Sequence, residues 1–298
     1  MTTSGQERAG CGVASTESQW RADGPLREFL ARKFLRHQGY VPNLAAPNTF
    51  NEKLLHRMLF DRRRILTTFA DKLAVRDYVE QKLGGMQNLP TIYGVFSRAD
   101  DLYSFDFPSR FALKANHGSG WNYIHHGGLC DRERLIQLTR RWMRLNYGLI
   151  QGEWCYHDIQ PRIFCEEYMG TGYSLPVDYK VLCFSGRVRF IQAIFDRHSC
   201  PKCRIYDRDW NVLDIRYPDY PRKFVAPAPA NPAKVVSIAE RLSDGIDFVR
   251  VDLYDLGDRV VFGELTNYPG GLLDRFYPQE WDAKFGSYWR LPVQKTLI

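Results

Sequence analysis

The sequence has no long hydrophobic run. None of its 298 residues lies in an apolar stretch near the roughly 18 residues that a membrane-spanning helix needs. The first 18 residues are polar and contain no apolar segment of the kind that a secretory signal peptide carries. We therefore predict a cytoplasmic protein without a transmembrane segment, with a disordered tail over residues 1–24.

A disulfide framework is also absent. The seven cysteines are odd in number, and most lie in apolar or strand-like segments such as IFCEEY and VLCF, which is typical of reduced core thiols. Only Cys200 and Cys203 form a CxxC pair, and no second pair follows at zinc-site spacing, although His198 is close. We predict an ordinary surface turn there, with a metal or redox site as the alternative.

Nucleic-acid-binding motifs are missing as well. A formal net charge of +7 favours an anionic partner such as a nucleotide, an acidic saccharide, nucleic acid or a membrane surface. The two arginine clusters, within residues 62–64 and 140–144, lie in helical-looking segments with interleaved apolar residues, which favours solvated helix faces. We therefore predict no nucleic-acid partner.

What is present is enough material for a folded core. Hydrophobic residues make up 44% of the chain and aromatic residues 14%, and the length predicts about two compact units. Apolar periodicity predicts helices over residues 26–37, 49–64, 71–83, 131–147 and 233–243. Strands are predicted over residues 91–95, 110–116, 162–169, 179–184, 187–195, 248–254 and 260–265. The pattern predicts an α+β fold with mostly antiparallel strands.

A glycine-rich loop is the first candidate site. The strand RFALKAN presents Lys114 and leads into His117, Gly118, Ser119 and Gly120, whose backbone N–H groups can wrap phosphate oxygens while the lysine adds a charge. The loop matches neither a Walker motif nor a dinucleotide fingerprint, and an ordinary turn is the alternative. His117 either contacts the ligand or, as we favour, orients the loop.

The last hairpin is the second candidate site. A three-residue turn centred on Gly257 would place Arg250 directly opposite Glu264, and Asp252 diagonal to it at roughly 7–8 Å. Two carboxylates at that spacing suit a pair of Mg²⁺ ions that also hold nucleotide phosphates, and the arginine could stabilise a transferred phosphoryl group. A surface salt-bridge ladder is the alternative.

Two further strands carry charged residues at one end. Glu166 and Glu167 follow the apolar run IFC, where backbone and carboxylate groups can bond to the edge of a ligand. The alternative for these glutamates is a strand end that meets water. Asp178 and Lys180 open the strand YKVLCF, and a lysine on an otherwise apolar strand often points into a cleft.

Taken in order, these segments resemble the TupA-like ATP-grasp family, named for a teichuronopeptide biosynthesis protein. The resemblance extends from about Leu26 to Leu291 and depends on the ordered set more than on any single motif. The segments are NTFNEKL, ADKLAVRDYV, LKANHGSG, PRIFCEEYMG, DYKVLCFSGRVRFIQ, YDRDWNVLD, FVRVDLY, GELTNYPGG and PQEWDAKFG.

The resemblance implies an ATP-grasp fold, in which two α+β lobes hold ATP between antiparallel sheets after an N-terminal helical extension. It implies lobes at residues 25–108, 109–170 and 171–298, the second with the glycine-rich loop and the third with the metal site. The positions that match ATP contacts are Lys72, Lys114, Gly118, Ser119, Gly120, Glu166, Glu167, Tyr168, Met169, Asp178 and Lys180. Asp252 and Glu264 match magnesium ligands, Arg250 matches the catalytic arginine, and Lys180 lies near the phosphates.

One position departs from the family pattern. Many ATP-grasp enzymes have Glu-x-Asn after the last strand, with the asparagine as a magnesium ligand. Here Thr266 stands second after Glu264, and Asn267 follows it. Either the Thr266 hydroxyl replaces the amide, or a bulge in the strand brings Asn267 to the metal.

The implied activity is that of an ATP-dependent carboxylate–amine ligase that uses Mg²⁺ and acts through an acyl phosphate. The implied partners are a small-molecule or saccharide carboxylate and an amine such as an amino acid, in the modification of envelope polysaccharides or in natural-product assembly. A kinase that phosphorylates a hydroxyl is one alternative. A glycosyltransferase of a polysaccharide cluster and a non-catalytic nucleotide-binding module are the others, and the oligomeric state stays open.

Overall fold

The computed structural model describes residues 24–196, 199–216, 220, 224 and 226–292. The predicted tail, apart from Gly24, and His198 lie outside these residues. Within them, no helix is both long and apolar enough to cross a membrane. The cytoplasmic location stays a prediction.

Helices make up most of the N-terminal third of the described chain. The α-helices are α1 (Pro25–Gln38), α2 (Phe50–Phe60), α3 (Arg64–Ala70), α4 (Val75–Leu83), α5 (Arg132–Arg144), α6 (Tyr147–Gln151), α7 (Pro232–Ser243) and α8 (Glu280–Tyr288). A capping box begins α2, because the Glu52 backbone N–H donates to Thr49 Oγ1 and the Thr49 N–H donates to the Glu52 carboxylate. Gly84 ends α4 with a left-handed φ of +71°.

Two predicted helices are each divided in the structure. The helix predicted over residues 49–64 ends at Phe60, and α3 starts only at Arg64. Asp61 takes an extended conformation, and its carboxylate accepts hydrogen bonds from the backbone N–H and the guanidinium of Arg63, which holds the bend. The helix predicted over 131–147 similarly ends at Arg144, before the short α6.

The strands form two antiparallel sheets. The first has the order β1 (Ile92–Phe96), β4 (Ile163–Glu167), β2 (Phe111–Ala115), β3 (Asn122–His125). The second has the order β7 (Lys202–Tyr206), β6 (Arg187–Phe195), β5 (Asp178–Phe184), β8 (Phe248–Asp255), β9 (Val260–Thr266). The predicted α+β fold with antiparallel strands is confirmed. Strands β3 and β7 were not predicted, because each is a short edge strand defined by pairing with one neighbour.

The second sheet is covered by helices on both faces. Side chains of α4 and α7 pack on one face, and those of α1, α2 and α8 pack on the other. Phe50, at the start of α2, contacts Phe248 edge to face with a centroid separation of 5.1 Å. Arg57 is fully buried, donates to the carbonyl of Phe248 at 2.9 Å and pairs with Asp247 at 2.6 Å. These contacts attach the N-terminal helices to the C-terminal sheet.

The packing shows how the three predicted lobes contribute to the two sheets. Strand β1, from the segment predicted as the first lobe, pairs with β4 from the second. Helices α1 and α2, from the same first segment, pack on the sheet of the third. The boundaries at residues 25–108, 109–170 and 171–298 stay predictions, but the first segment contributes to both sheets.

Candidate active site

A cleft lies between the two sheets, and about 1170 Å³ of it is free of protein atoms. Strands β2 and β3 and the end of β4 form one wall, and β5, β8 and β9 form the other. The lining residues are Lys72, Ala112, Lys114, Ser119, Gly120, Trp121, Asn122, Ile124, Glu166, Glu167, Tyr168, Met169, Leu175, Pro176, Asp178, Asp252, Tyr254, Gly263 and Glu264.

One face of the second sheet changes from apolar to charged along its length. Because alternate side chains share a face, Asp178 and Lys180 of β5 lie on the same side as Leu182. Leu182 is buried with Phe248 under the helices, whereas Asp178 lines the cleft. The charged end is therefore the part of this face that the helices leave to the cleft.

The register of the β8–β9 hairpin differs from the prediction. Asp252, and not Arg250, stands directly opposite Glu264, and Arg250 stands opposite Thr266. The ladder shifts between Asp252 and Leu253, because Gly263 is an extra residue in β9, as in a β-bulge. A Cβ at Gly263 would lie 3.1 Å from the Asp252 carbonyl oxygen, so this close approach favours glycine.

The acidic residues of the hairpin belong to a connected ion network. Arg250 donates to both oxygens of Asp252, at 2.7 and 2.6 Å, and to Glu264 Oε1 at 3.2 Å. Lys180 Nζ lies 2.8 Å from Asp252 Oδ2 and 3.0 Å from Asp178 Oδ2. The structure thus brings together the predicted residues Asp178, Lys180, Arg250, Asp252 and Glu264. Because Asp178 and Asp252 are buried, the group is more than the surface salt-bridge ladder that was the alternative.

Burial and neighbouring charges shift the pKa values of the two hairpin carboxylates in opposite directions. Burial raises the pKa of Asp252 despite the attraction of Arg250 and Lys180. Burial acts in the same direction on Glu264, but Lys72, Arg250 and Lys180 together lower the pKa of Glu264 to about 2. Glu264 is therefore held as an anion at the charged end of the cleft.

Thr266 and Asn267, the two alternatives left open by the sequence, point to different places. The Thr266 hydroxyl accepts from Arg250 at 3.0 Å and lies 3.2 Å from Glu264 Oε1, so it belongs to the ion network. Asn267 is buried on the other side, where its amide donates to the Leu66 carbonyl at 2.7 Å. The bulge lies before Glu264, so it does not bring Asn267 to the cluster, and geometry favours Thr266.

Two lysines face the acidic cluster from the other side of the cleft. Lys72, in the turn between α3 and α4, donates to the Gly118 carbonyl at 2.6 Å and lies 3.9 Å from Glu264 Oε2. Burial lowers the pKa of Lys72, and the charge of Lys114 lowers it further. Lys114 on β2 is ion-paired with Glu166 on β4, which stands next to it across the sheet. Both predicted lysines therefore reach the cleft.

The glycine-rich loop divides into a lining part and a supporting part. Ser119 and Gly120 line the cleft, and a Cβ at Gly118 would lie 2.5 Å from the Trp121 ring, so glycine is required there. His117 does not line the cleft. It is buried, with its ring nitrogens 3.2 Å from Asn116 Oδ1 and 3.1 Å from the Trp142 carbonyl. This position suits the orientation of the loop, the role that we favoured for His117 over a contact with the ligand.

The segment after β4 lies beside an apolar slot. Tyr168 and Met169 line the cleft together with the apolar residues Ala112, Ile124, Leu175 and Pro176. The Tyr168 hydroxyl donates to the Gly172 carbonyl at 2.8 Å, and Glu167 is ion-paired with Arg259, which directly precedes β9. This end of the cleft can hold a flat apolar group, while the opposite end is charged.

Sequence reasoning missed several lining residues. Ala112 shares a face with Lys114 on β2, so strand alternation could have identified it. Asn122 and Ile124 lie on the unpredicted β3, and Gly263 depends on the shifted register, whereas Tyr254 shares a face with Asp252 on β8 by the same alternation. The CxxC pair lies away from the cleft: Cys203 is buried and accepts from Gln192 at 3.6 Å, and Cys200 is exposed.

A family model described as TupA-like ATPgrasp matches residues 52–290. The chain belongs to the TupA-like ATP-grasp family. The match covers all nine strands named above, so the two antiparallel sheets and the cleft between them are the ATP-grasp fold that the motifs predicted. A comparison with curated protein sequences finds no match to this TupA-like ATP-grasp protein.

Solved structures of ligases are similar to this TupA-like ATP-grasp protein at a low level. D-alanine–D-alanine ligase from Helicobacter pylori is 16% identical, with 76% of this chain and 62% of that chain covered and a TM-score of 0.44. L-amino acid ligase from Bacillus licheniformis is 12% identical, with 82% and 55% covered and a TM-score of 0.44. D-alanine–D-alanine ligase from Bacillus anthracis, complexed with ATP, is 14% identical, with 69% and 56% covered and a TM-score of 0.39. The chain spans less than two thirds of each.

Proposed function

We propose that this protein is an ATP-dependent carboxylate–amine ligase. The observation that carries the proposal is the cleft, which has an apolar slot at one end. At the other end the buried Asp252 and the half-buried Glu264 face Lys72 and Lys114. Family membership supports the same function. The carboxylate can be a small molecule or a saccharide unit, the amine an amino acid, and the setting cytoplasmic assembly of an envelope polysaccharide or a natural product.

ATP fits the cleft in one orientation. Its adenine would occupy the apolar slot beside Tyr168 and Met169, next to the chain segment that leads out of β4. Its phosphates would lie against Lys72 and Lys114, with the backbone of Ser119 and Gly120 above them. The ribose would then lie near Asp178, between the two ends.

The donor set of the hairpin fits Mg²⁺. Asp252, Glu264 and the Thr266 hydroxyl offer oxygen ligands only, which this hard cation prefers. In the structure, Arg250 and Lys180 hold the Asp252 oxygens, so these two cations would have to yield part of them to a metal. Bound Mg²⁺ would neutralise phosphate charge during transfer.

The chemistry proposed for the cleft has two steps. The substrate carboxylate attacks the γ-phosphorus, the bond to the β–γ bridging oxygen breaks, and ADP leaves an acyl phosphate behind. The amine then attacks the acyl carbon, the bond from that carbon to the phosphate oxygen breaks, and the amide and inorganic phosphate form. Lys72, Lys114 and Arg250 stabilise the charge on the transferred group.

The first test is thermal stabilisation by Mg²⁺-ATP, compared with UDP-sugars, for the wild type and for Lys114→Ala and Glu264→Ala. A ligand at 100 times its dissociation constant stabilises by about 2.7 kcal/mol, which is readily measured. We expect an ATP response that both substitutions abolish. A response to UDP-sugars alone would overturn the ligase and favour a glycosyltransferase. ADP release with a hydroxyl acceptor and no amine would instead identify a kinase.

A further inference from the structure

Near the proposed phosphate end of the cleft, two charged residues lie around a glycine, and we call this place the side recess. Its residues are Lys33 of α1, Glu153 before the 3₁₀ turn Trp154–Tyr156, and Gly271 in the turn Pro269–Leu272. A Cβ built on Gly271 would lie 3.5 Å from Glu153 Oε1 and 3.5 Å from Lys33 Nζ. The glycine therefore leaves room for an atom that touches the Glu153 carboxyl group and the Lys33 amino group at once. None of the three residues lines the nucleotide cleft.

Glu153 has no partner of its own within the described chain. The residue is 7% exposed, yet none of the described residues donates a hydrogen bond to its carboxylate or forms an ion pair with it at contact distance. A carboxylate so nearly buried is costly without a donor. Burial accordingly raises the pKa of Glu153 to about 8, and the charge of Glu264 raises it further, although Lys33 and Lys72 act in the opposite direction.

The side recess adjoins the proposed phosphate site. The charges of Glu264 and Lys72 both act on Glu153, and Tyr147 connects the two places. The ring of Tyr147 contacts Trp121, which follows the glycine-rich loop, at 5.6 Å and Tyr156 at 4.8 Å between centroids. A molecule in the side recess would therefore lie beside the loop that holds the phosphates.

The chemistry of the side recess selects a molecule with an amino group and an acidic group. A primary amine offers the N–H donors that the Glu153 carboxylate lacks. Lys33 donates to the Gln151 side chain at 3.2 Å and to the Gln151 carbonyl at 3.4 Å, which holds its charge toward Gly271. We propose that the side recess binds an amino acid as the amine co-substrate, with its amino group on Glu153 and its carboxylate on Lys33. This assignment rests on the ligase proposed above.

The test measures thermal stabilisation by the twenty standard L-amino acids, each added with saturating Mg²⁺ and a non-hydrolysable ATP analogue. The variants are Glu153→Gln and Lys33→Gln. We expect at least one amino acid to stabilise the wild type, and its affinity to fall at least tenfold in each variant. The 2-hydroxy acid of the same skeleton should not bind, because it lacks the amine. Stabilisation by the nucleotide alone should be the same in all three proteins.

A glycine pair provides a matched control. Gly271 and Gly84 both have left-handed φ angles, +54° and +71°, so alanine strains the backbone at either position. The new Cβ would fill the side recess at position 271 and meet nothing within 4 Å at position 84. Gly271→Ala should therefore lose amino-acid binding, whereas Gly84→Ala should keep it.

Two results would overturn the assignment. One is an amino acid that stabilises Glu153→Gln as strongly as the wild type. The other is a wild-type protein that responds to the nucleotide but to none of the amino acids. A wild type that does not respond to the nucleotide would refute the ligase itself, so the two failures are distinguishable.

Discussion

The β8–β9 hairpin and the side recess each hold one glutamate, and the pKa values of the two glutamates shift in opposite directions. Burial raises the pKa of both, but Lys72, Arg250 and Lys180 bring the pKa of Glu264 down to about 2. Glu153 shares Lys72 with Glu264, but it lacks the arginine and is repelled by Glu264, so its pKa is about 8. The comparison teaches that a network of cations stabilises the ionised form of one carboxyl group, whereas the other, which lacks such a network, is held in its protonated form.

The largest effect is expected where the network is broken at its centre. Asp252→Asn keeps the shape of the side chain but leaves Arg250 and Lys180 undercompensated in a buried position. We expect a loss of about 3 kcal/mol in the free energy of unfolding, measured by urea denaturation. The enhancement of ATP affinity by Mg²⁺, measured by calorimetry, should fall roughly 10- to 100-fold.

Asp209→Asn is the matched control, because Asp209 pairs with Arg208 on the surface with 76% of its side chain exposed. A surface pair of this kind contributes about 0–1 kcal/mol. Equal losses in the two variants would contradict the assigned role of Asp252.

The next effect concerns the other glutamate and depends on pH. Because the pKa of Glu153 in the folded protein, about 8, is above its ordinary value, the folded state favours the protonated acid. Its contribution to stability is complete below pH 4.5 and is lost as the pH rises toward 8. Glu153→Gln should therefore gain about 3 kcal/mol relative to the wild type between pH 5 and pH 7.5, measured by urea denaturation at each pH.

Glu80→Gln controls for the loss of one negative charge, because Glu80 is exposed on α4. Its stability relative to the wild type should change little over the same range. A flat difference for Glu153→Gln as well would show that the folded protein does not hold this carboxyl in its acid form.

A smaller effect is expected from the lysine that both glutamates share. Lys72→Met removes the hydrogen bond to Gly118 and the charge near Glu264, and we expect ATP affinity to fall roughly 10- to 100-fold. Lys234→Met, exposed on α7, removes the same charge far from the cleft and should leave ATP affinity unchanged. Calorimetric titration with Mg²⁺-ATP measures the affinity of both variants. Equal ATP affinities in Lys72→Met and Lys234→Met would show that Lys72 does not contact the phosphates.

The smallest effect is expected at the hydroxyl that joins Arg250 to Glu264. Thr266→Val keeps the shape of the side chain but removes both hydrogen bonds, so we expect a loss of about 1 kcal/mol in unfolding free energy and a few-fold loss of Mg²⁺-dependent ATP affinity. Thr68→Val, on α3, is the control. A Mg²⁺ response that is unchanged in Thr266→Val would exclude the hydroxyl as a metal ligand.

Much of the site was predictable because its residues alternate along strands. The period of two puts Asp178 with Lys180, and Arg250 with Asp252, whatever the strands pair with. The pairing across the hairpin was predicted wrongly for two reasons. The turn pairs Asp255 with Val260, which leaves four residues in the loop instead of three, and the extra residue Gly263 moves the pairs from Asp252 to Arg250 by one more position. The sequence left two roles open for His117, and only the structure shows that its neighbour Asn116 and the distant Trp142 hold its ring.

By itself, the sequence determined the order of most helices and strands, the charged strand faces and the family, because these follow from local periodicity and from short ordered motifs. Only the tertiary structure decided which carboxylates stand opposite each other and that Thr266, not Asn267, joins them. It alone brought Lys33, Glu153 and Gly271 together, although more than a hundred residues separate each from the next. The physical reason is that burial and long-range charge are properties of packing, which sequence spacing does not encode.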